Sequence, residues 1–119
     1  MKSFILMLHA PPWSHQSVKT AVDFASTAIK RGNKVNAIFL YQDAVLCAGK
    51  ELDIPSDELN GHQALLELHD QMGVPLMLCV TAAEKRGLNN SNVNDKFQIA
   101  GLAEFAELTT LTDKVVQFK

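Results

Sequence analysis

The chain has 119 residues, of which 47% are hydrophobic and 20% charged, and its formal net charge is −2. This length suits one compact domain, residues 1–119, and the composition is typical of a soluble globular protein. The slight negative charge argues against an extended nucleic-acid-binding surface, because such surfaces are strongly basic. No stretch approaches the ~18 consecutive apolar residues that a membrane-spanning helix needs.

The beginning of the chain, MKSFILMLHAPP, does not read as a secretion signal. Its apolar run, residues 4–8, is too short for the central region of a signal peptide, and no small-x-small cleavage site follows before Pro11. Two cysteines are too few for a disulfide framework. We therefore expect a cytoplasmic protein with reduced thiols and no membrane association.

The first predicted elements are a strand, a helix and a second strand. Residues 4–8 form a continuous apolar run, which is typical of a strand covered on both faces. Apolar residues then recur at spacings of three and four over residues 18–29, which predicts a helix, and Gly32 stands where a C-terminal cap belongs. Residues 35–40, VNAIFL, follow as the second strand.

The rest of the chain continues the alternation. The predictions are a short helix at 43–48, a loop at 49–60, a helix at 61–72, a strand at 76–80, a polar loop at 88–96, a strand at 97–100, a helix at 102–109 and a strand at 115–118. Alternating strands and helices predict an α/β fold, a single-domain three-layer sandwich with about five mostly parallel strands. We expect the flavodoxin-like order 2-1-3-4-5, in which strands one and three are neighbours.

Cys79 is the candidate catalytic residue. In the expected order the carboxyl ends of strands one and three form a crevice, where open α/β sheets place their sites. Cys79 ends strand three, and the segment from His9 to Pro12 leaves strand one, so the two should meet. Thr81 and Glu84 have the spacing of a capping box, which would set Cys79 beside the positive end of a helix and lower its pKa. The alternative is that Cys79 packs as a small buried hydrophobic residue.

Other candidates are weaker. Cys47 follows apolar residues without a strand end or cap, so we expect it to be packed. His62 and His69 could share a helix face, but two ligands do not make a zinc site, and a solvated helix surface is the expectation. His9 and His15 flank the predicted crevice and could steer a proton, although a structural role suits them better.

Nucleotide binding has little support. The chain has no Gly-x-Gly-x-x-Gly after the first strand, no Gly-x-x-x-x-Gly-Lys-[Ser/Thr] loop and no Gly-x-Ser-x-Gly elbow. The turn after strand one, residues 10–13, is too rich in proline to cradle phosphates with its amides. We expect neither a cofactor nor a bound metal.

The stretch Leu76-x-x-Cys79-x-x-Ala82-Ala83-x-x-Arg86-Gly87 resembles the cysteine motif of the DsrE-like sulfur-relay family, most closely its TusD/DsrE branch. Further pieces agree with that family in order and spacing along nearly the whole chain. They are Pro11, Ala21, Phe24-Ala25 and Gly32, then Phe39-x-Tyr41-x-x-Ala44-Val45, Gly101-Leu102-x-x-x-Ala106 and Asp113-x-Val115-Val116-Gln117-Phe118. The turn at 10–13, which lacks glycine, and the segment 49–60 depart from the pattern.

The resemblance implies a sulfurtransferase subunit that carries a persulfide on Cys79 and relays sulfur between protein thiols. For the TusD-like branch it implies a hexamer with TusB-like and TusC-like subunits, a TusA-like sulfur donor and a TusE-like acceptor. The pathway would lead to 2-thiolation of the tRNA wobble uridine, with no direct nucleic-acid binding by this chain. The polar loop 88–96 would then shield the sulfur and present it.

Three alternatives stay open. The chain could be a DsrE-like subunit in dissimilatory sulfur oxidation, or a non-catalytic assembly subunit of the same fold with Cys79 merely packed. It could also be a module that binds a small molecule or nucleotide, which the missing glycine loop disfavours.

Overall fold

A computed structural model describes residues 1–13, 16–50 and 60–119 of the chain. Its elements in chain order are β1 (Ser3–Leu8), α1 (Ser17–Lys30), β2 (Lys34–Leu40), a 3-10 helix (Gln42–Ala48), α2 (Gly61–Met72), β3 (Leu76–Cys79), α3 (Val80–Lys85), β4 (Phe97–Ala100), α4 (Leu102–Thr110) and β5 (Lys114–Phe118). These elements confirm the predicted alternation, although residues 51–59 of the predicted loop lie outside the described residues. No helix in the described ranges is both long and apolar enough to cross a membrane.

The helices α1 and α2 begin and end where the local chemistry of the sequence predicts. After α1 the chain turns at Gly32, whose φ of +86° is a conformation that favours glycine. Before α2, the Asn60 side chain accepts a hydrogen bond from the Gln63 backbone N–H at 3.0 Å and caps the helix. Gly73, with φ of +69°, ends α2 in the left-handed conformation.

The sheet has five parallel strands in the order β4-β3-β2-β1-β5. The α/β class with a parallel sheet is thereby confirmed, but the order differs from the expected 2-1-3-4-5 because β2 lies between β1 and β3. From β1 to β4 each crossover moves to the next strand in the same direction, and α4 then leads back across the sheet to β5. The apolar patterns fix which faces are buried, whereas these crossovers decide which strands are neighbours.

Helices cover both faces of the sheet, as the three-layer prediction requires. On one face Phe24 of α1 packs edge-on against Phe4 and Phe118, with ring centroids 5.3 Å and 5.9 Å apart. On the other face Phe105 of α4 packs against Phe39, with a centroid separation of 4.3 Å. The side chains of β2 and β3 between these layers are almost all inaccessible to solvent, so Cys79 lies at the end of a strand that runs through the core.

Candidate active site

Cys79 is the last residue of β3 and the residue that precedes α3. Its backbone is extended, with φ of −70° and ψ of 124°, and only 1% of the residue is exposed. The capping box predicted at Thr81 is wrong, because the chain turns from the strand directly into the helix and Thr81 already lies in the first turn. Since α3 has only six residues, we assign little weight to its dipole.

A pocket of about 320 Å³ opens beside Cys79. Its other lining residues come from the end of β2, from α3 and its C-terminal end, and from the start of α4, and they are Tyr41, Gln42, Thr81, Ala82, Lys85, Arg86 and Leu102. The crevice thus lies beside the carboxyl ends of β2 and β3, not of β1 and β3. This displacement follows from the strand order, which makes β2 the neighbour of β3.

The proline turn after β1 does not reach this pocket. Pro12 is buried on the side of α2, where its carbonyl oxygen accepts a hydrogen bond from the backbone N–H of Gly61 at 3.2 Å. The expectation that the segment from His9 to Pro12 would meet Cys79 is therefore corrected. His15 lies outside the described residues.

His9 adjoins the pocket through its neighbours. Its Nδ1 lies 3.0 Å from Oε1 of Gln42, and its Nε2 lies 3.1 Å from Oε1 of Gln117 in β5. The ring also packs edge-on against Tyr41, with centroids 5.9 Å apart. His9 thus supports two residues of the pocket wall without lining the pocket itself.

An ion pair joins the two sides of the pocket. The Nε and Nη2 atoms of Arg86 donate to the same carboxylate oxygen of Asp43, at 3.0 Å and 2.9 Å, and Nη1 donates to the carbonyl of Ala82 at 3.0 Å. The charge of Arg86 is thereby engaged. Lys85 also lines the pocket, and within the described part of the chain it forms no ion pair.

Cys47 differs from Cys79 in its surroundings. It lies in the 3-10 helix with no exposed surface, and burial raises the pKa of its thiol to about 12. Such a thiol is almost entirely protonated at neutral pH and is a poor nucleophile. The prediction that Cys47 is a packing residue agrees with this environment.

The two histidines of α2 are not on a solvated surface, so that expectation is wrong. Both are half-buried, and their Nδ1 atoms bond to backbone carbonyls, that of Cys47 for His62 and that of Val74 for His69. His62 also stacks on Phe97, with centroids 5.7 Å apart. Across residues 1–13, 16–50 and 60–119, no three His, Cys, Asp or Glu side chains group in a way that could hold a metal.

The polar loop 88–96 does not form a shield over Cys79. Val93 in its middle is 3% exposed and pairs with Gly49 in an antiparallel bridge. Backbone hydrogen bonds from Lys50 to Asn92 (2.8 Å) and from Asn94 to Ala48 (2.9 Å) fasten the loop to the end of the 3-10 helix. No residue of the loop is among those that line the Cys79 pocket. The structure therefore contradicts this part of the sequence interpretation.

Sequence reasoning missed the pocket residues Tyr41, Gln42 and Leu102 and the partner Asp43. One signal was present, because polar residues follow the apolar strand VNAIFL directly and the carboxyl ends of neighbouring parallel strands meet at one edge. The left-handed backbone of Gln42, with φ of +50°, had no signal, because glycine is the usual residue there.

Residues 1–118 match the model of the DsrE/DsrF-like family. The sulfurtransferase TusD of Cronobacter sakazakii is 32% identical over 126 residues, which cover 97% of this chain and 98% of that protein. A sulfurtransferase TusD homolog of Vibrio vulnificus is 36% identical over 127 residues, covering 97% and 96%. The putative sulfurtransferase DsrE of Allochromatium vinosum is 28% identical over 126 residues, covering 97% of each chain.

Solved structures agree with the fold. The crystal structure of the ychN protein from E. coli superposes with a TM-score of 0.84 at 26% identity, covering 99% of this chain and 100% of that one. The protein MTH1491 from Methanobacterium thermoautotrophicum superposes with a TM-score of 0.75 at 12% identity, covering 98% and 99%. At that identity the second likeness concerns the fold alone.

Proposed function

The chain belongs to the DsrE/DsrF-like family, and on that premise we propose that it is a sulfurtransferase subunit which carries a persulfide on Cys79. The sulfurtransferase names of its TusD and DsrE relatives support a sulfur-relay function. The observation that carries the assignment to Cys79 is the contrast between the two cysteines. Cys79 lines a surface pocket, whereas Cys47 is enclosed in the core with its pKa raised to about 12.

The proposed reaction is a pair of sulfur transfers. The Cys79 thiolate attacks the outer sulfur of a donor persulfide, so that a new S–S bond forms to Cys79 and the donor leaves as a thiolate. An acceptor thiolate then attacks the outer sulfur on Cys79, and Cys79 leaves as a thiolate in turn. Each step breaks one S–S bond and forms another with no net oxidation or reduction, so the exchange needs neither a metal nor an organic cofactor.

The pocket supplies space and charge for this exchange. Its volume of about 320 Å³ can admit a cysteine side chain bearing one further sulfur. Lys85 places a cation at the approach to the pocket, where an incoming thiolate or persulfide anion is attracted. The ring of Tyr41 and the side chain of Leu102 add apolar surface beside the sulfur.

For the biological context we propose the TusD-like role, since TusD relatives match nearly the full chain. In that role the chain joins TusB-like and TusC-like subunits in a hexamer, receives sulfur from a TusA-like protein and passes it to a TusE-like one. The pathway serves 2-thiolation of the tRNA wobble uridine in the cytoplasm, without direct contact between this chain and nucleic acid.

Two other roles have an observation in their favour. The relative from Allochromatium vinosum is named a putative sulfurtransferase DsrE, which favours a DsrE-like subunit, and for such a subunit we propose dissimilatory sulfur oxidation as the context. The 1% exposure of Cys79 favours a non-catalytic assembly subunit, because a packed thiol does not exchange sulfur.

Persulfide loading tests the proposal. The chain is incubated with glutathione persulfide, and its peptides are analysed by mass spectrometry for an added sulfur atom. We expect the added sulfur on the peptide with Cys79, absent in Cys79→Ser and retained in the matched control Cys47→Ser. Sulfur confined to Cys47, or none on either cysteine, would reject the assignment. Co-purification with TusB-like and TusC-like subunits tests the proposed assembly separately.

A further inference from the structure

The burial of Cys79 raises the question of how any reagent reaches it. Only 1% of the residue is exposed, although it lines a pocket that opens to solvent. Attack on a sulfur requires the incoming atom to approach along the bond that breaks, so a small opening of one pocket wall has to precede exchange.

The α3 wall is fixed. Ala82 and Ala83 in that helix are 6% and 0% exposed and belong to the hydrophobic core. Moving α3 would therefore expose apolar surface and break the packing behind Cys79.

The opposite wall is better suited to move. Gln42 and Asp43 are exposed, whereas the next residues, Ala44 and Val45, are fully buried. The boundary between mobile and fixed backbone can thus fall directly after Asp43. We refer to residues 41–43 as the gate turn.

The gate turn is held by two side-chain contacts, at Asp43 and Gln42, and by one backbone hydrogen bond, in which the N–H of Tyr41 donates to the carbonyl oxygen of Leu8 at 2.9 Å. On one side Asp43 accepts two hydrogen bonds from Arg86, at 2.9 Å and 3.0 Å, which fasten the turn to the C-terminal end of α3. On the other side the Gln42 side chain meets His9 at 3.0 Å, which fastens the turn to the end of β1. The Arg86 side chain is 27% exposed and that of Asp43 is 59% exposed, so water can replace the ion pair at low cost.

The backbone of the gate turn is strained at its centre. Gln42 has φ of +50°, and it is the single non-glycine residue with positive φ in the ranges that the structure describes. Side chains with a Cβ avoid this region, and such residues persist where surrounding contacts enforce them, often at functional sites. Release of the two contacts would let Gln42 relax, so the strain favours the open turn.

We propose that the gate turn covers Cys79 and opens to admit sulfur donors and acceptors. The Arg86–Asp43 ion pair and the His9–Gln42 contact hold the gate turn closed, whereas the backbone strain at Gln42 favours its release. Its use in sulfur relay rests on the proposed function, but the opening itself governs access to Cys79 for any thiol reagent. A closed gate would protect a bound persulfide from reduction by small thiols.

Alkylation rates measure the opening. The full chain reacts with iodoacetamide, and peptide mass spectrometry follows Cys79 and Cys47 separately over time. We expect Asp43→Asn to label Cys79 about two- to fivefold faster than the unsubstituted chain, in line with the loss of one partly exposed ion pair. We expect Gln42→Gly to label Cys79 more slowly than Gln42→Ala, because both variants lose the contact with His9 and only glycine adopts the closed conformation without strain.

Two controls make the result decisive. Asp70→Asn removes the ion pair between Asp70 and Lys96, in which the Asp70 side chain is 57% exposed. This variant should leave the labelling rate of Cys79 unchanged. Cys47 is enclosed in the core, so it should react at the same slow rate in all variants, and a faster rate would report general loosening of the core. An unchanged Cys79 rate in Asp43→Asn, a rate in Gln42→Gly that equals or exceeds that in Gln42→Ala, or a parallel rise at Cys47 would overturn the gate.

This experiment and persulfide loading can fail independently. Iodoacetamide needs no sulfur donor. If the predicted labelling rates are observed but no persulfide loads on Cys79, the gate proposal is supported and the sulfurtransferase proposal is rejected. If persulfide loads on Cys79 but the substitutions at Asp43 and Gln42 do not change its labelling rate, the sulfurtransferase proposal is supported and the gate proposal is rejected.

Discussion

The backbone N–H of Gly61 donates to the carbonyl oxygen of Pro12 at 3.2 Å, so the first residue of α2 touches the turn that follows β1. A Cβ built on Gly61 would lie 3.1 Å from Cα of Pro12 and 3.2 Å from a methyl carbon of Val18. The close approach brings α2 against the start of α1. It favours glycine, because the nearest atom belongs to the backbone and would have to shift by a few tenths of an ångström to admit a Cβ.

We therefore expect Gly61→Ala to lower the free energy of unfolding by about 1–3 kcal/mol, the usual effect of overpacking. Urea denaturation followed by circular dichroism measures the change. Gly101→Ala is the matched control, since it also adds a methyl group beside a helix start but meets no atom within 4 Å. Equal stability of the two variants would contradict the steric explanation.

Phe105 fastens α4 to the sheet. None of the residues of α4 is fully buried. The ring of Phe105 packs against that of Phe39 in the sheet, with centroids 4.3 Å apart. We expect Phe105→Ala to lower the free energy of unfolding by about 2 kcal/mol, less than for a fully buried phenylalanine. Phe105→Leu, which keeps an apolar contact, should lose about half as much. A loss below about 0.5 kcal/mol in the alanine variant would show that α4 is held by other contacts.

Asp113 links β5 to β1 in a pH-dependent way. Hydrogen bonds from the backbone N–H of Ser3, at 2.7 Å, and from its hydroxyl, at 3.0 Å, hold the pKa of the Asp113 carboxyl below its ordinary value of 3.8. Because the pKa is lower in the folded state, the stabilisation is present above pH 3.8 and is lost as the pH falls through the lowered value.

We accordingly expect Asp113→Ala to be less stable than the unsubstituted chain at pH 7. The difference should shrink as the pH falls below 3.8, where the carboxyl is protonated first in the unfolded state and then, through its lowered pKa, in the folded state. Urea midpoints measured in steps from pH 7 downward test this. Ser3→Ala, which removes the hydroxyl and keeps the backbone donor, should show a smaller difference with the same sign. A difference that stays constant with pH would mean that the carboxylate charge has no part in the link.

The local structure was largely predictable from the sequence, because it depends on neighbouring residues. The spacing of apolar residues located α1, and the helix predicted at 61–72 coincides with α2. The strand order was not predictable in the same way. A continuous apolar run such as residues 4–8 shows that a strand is covered on both faces, but it carries no information about which strand lies beside it.

The position of the candidate thiol beside a crevice was predictable, whereas the walls of that crevice were not. Cys79 stood out because a thiol at a strand end beside a helix start is a recognisable pattern. Its wall partners Gln42 and Asp43 depend on β2 being the neighbour of β3, which is a property of the whole sheet. The loop 88–96 is largely exposed, as its asparagines predicted, but its suggested role over Cys79 was wrong because buried Val93 and two backbone hydrogen bonds fasten it to the end of the 3-10 helix.

The pairing of β1 with β5 has a consequence for the order in which the protein matures. His9, which supports Gln42, also contacts Gln117, a residue 108 positions later in the chain. During synthesis the strands β1 to β4 can associate one after another, but β5 leaves the ribosome after all of them. Until it docks, the edge of β1 is unpaired and His9 lacks one of its two side-chain partners. The nascent chain would therefore hold Cys79 behind a less firmly fastened turn than the mature protein does.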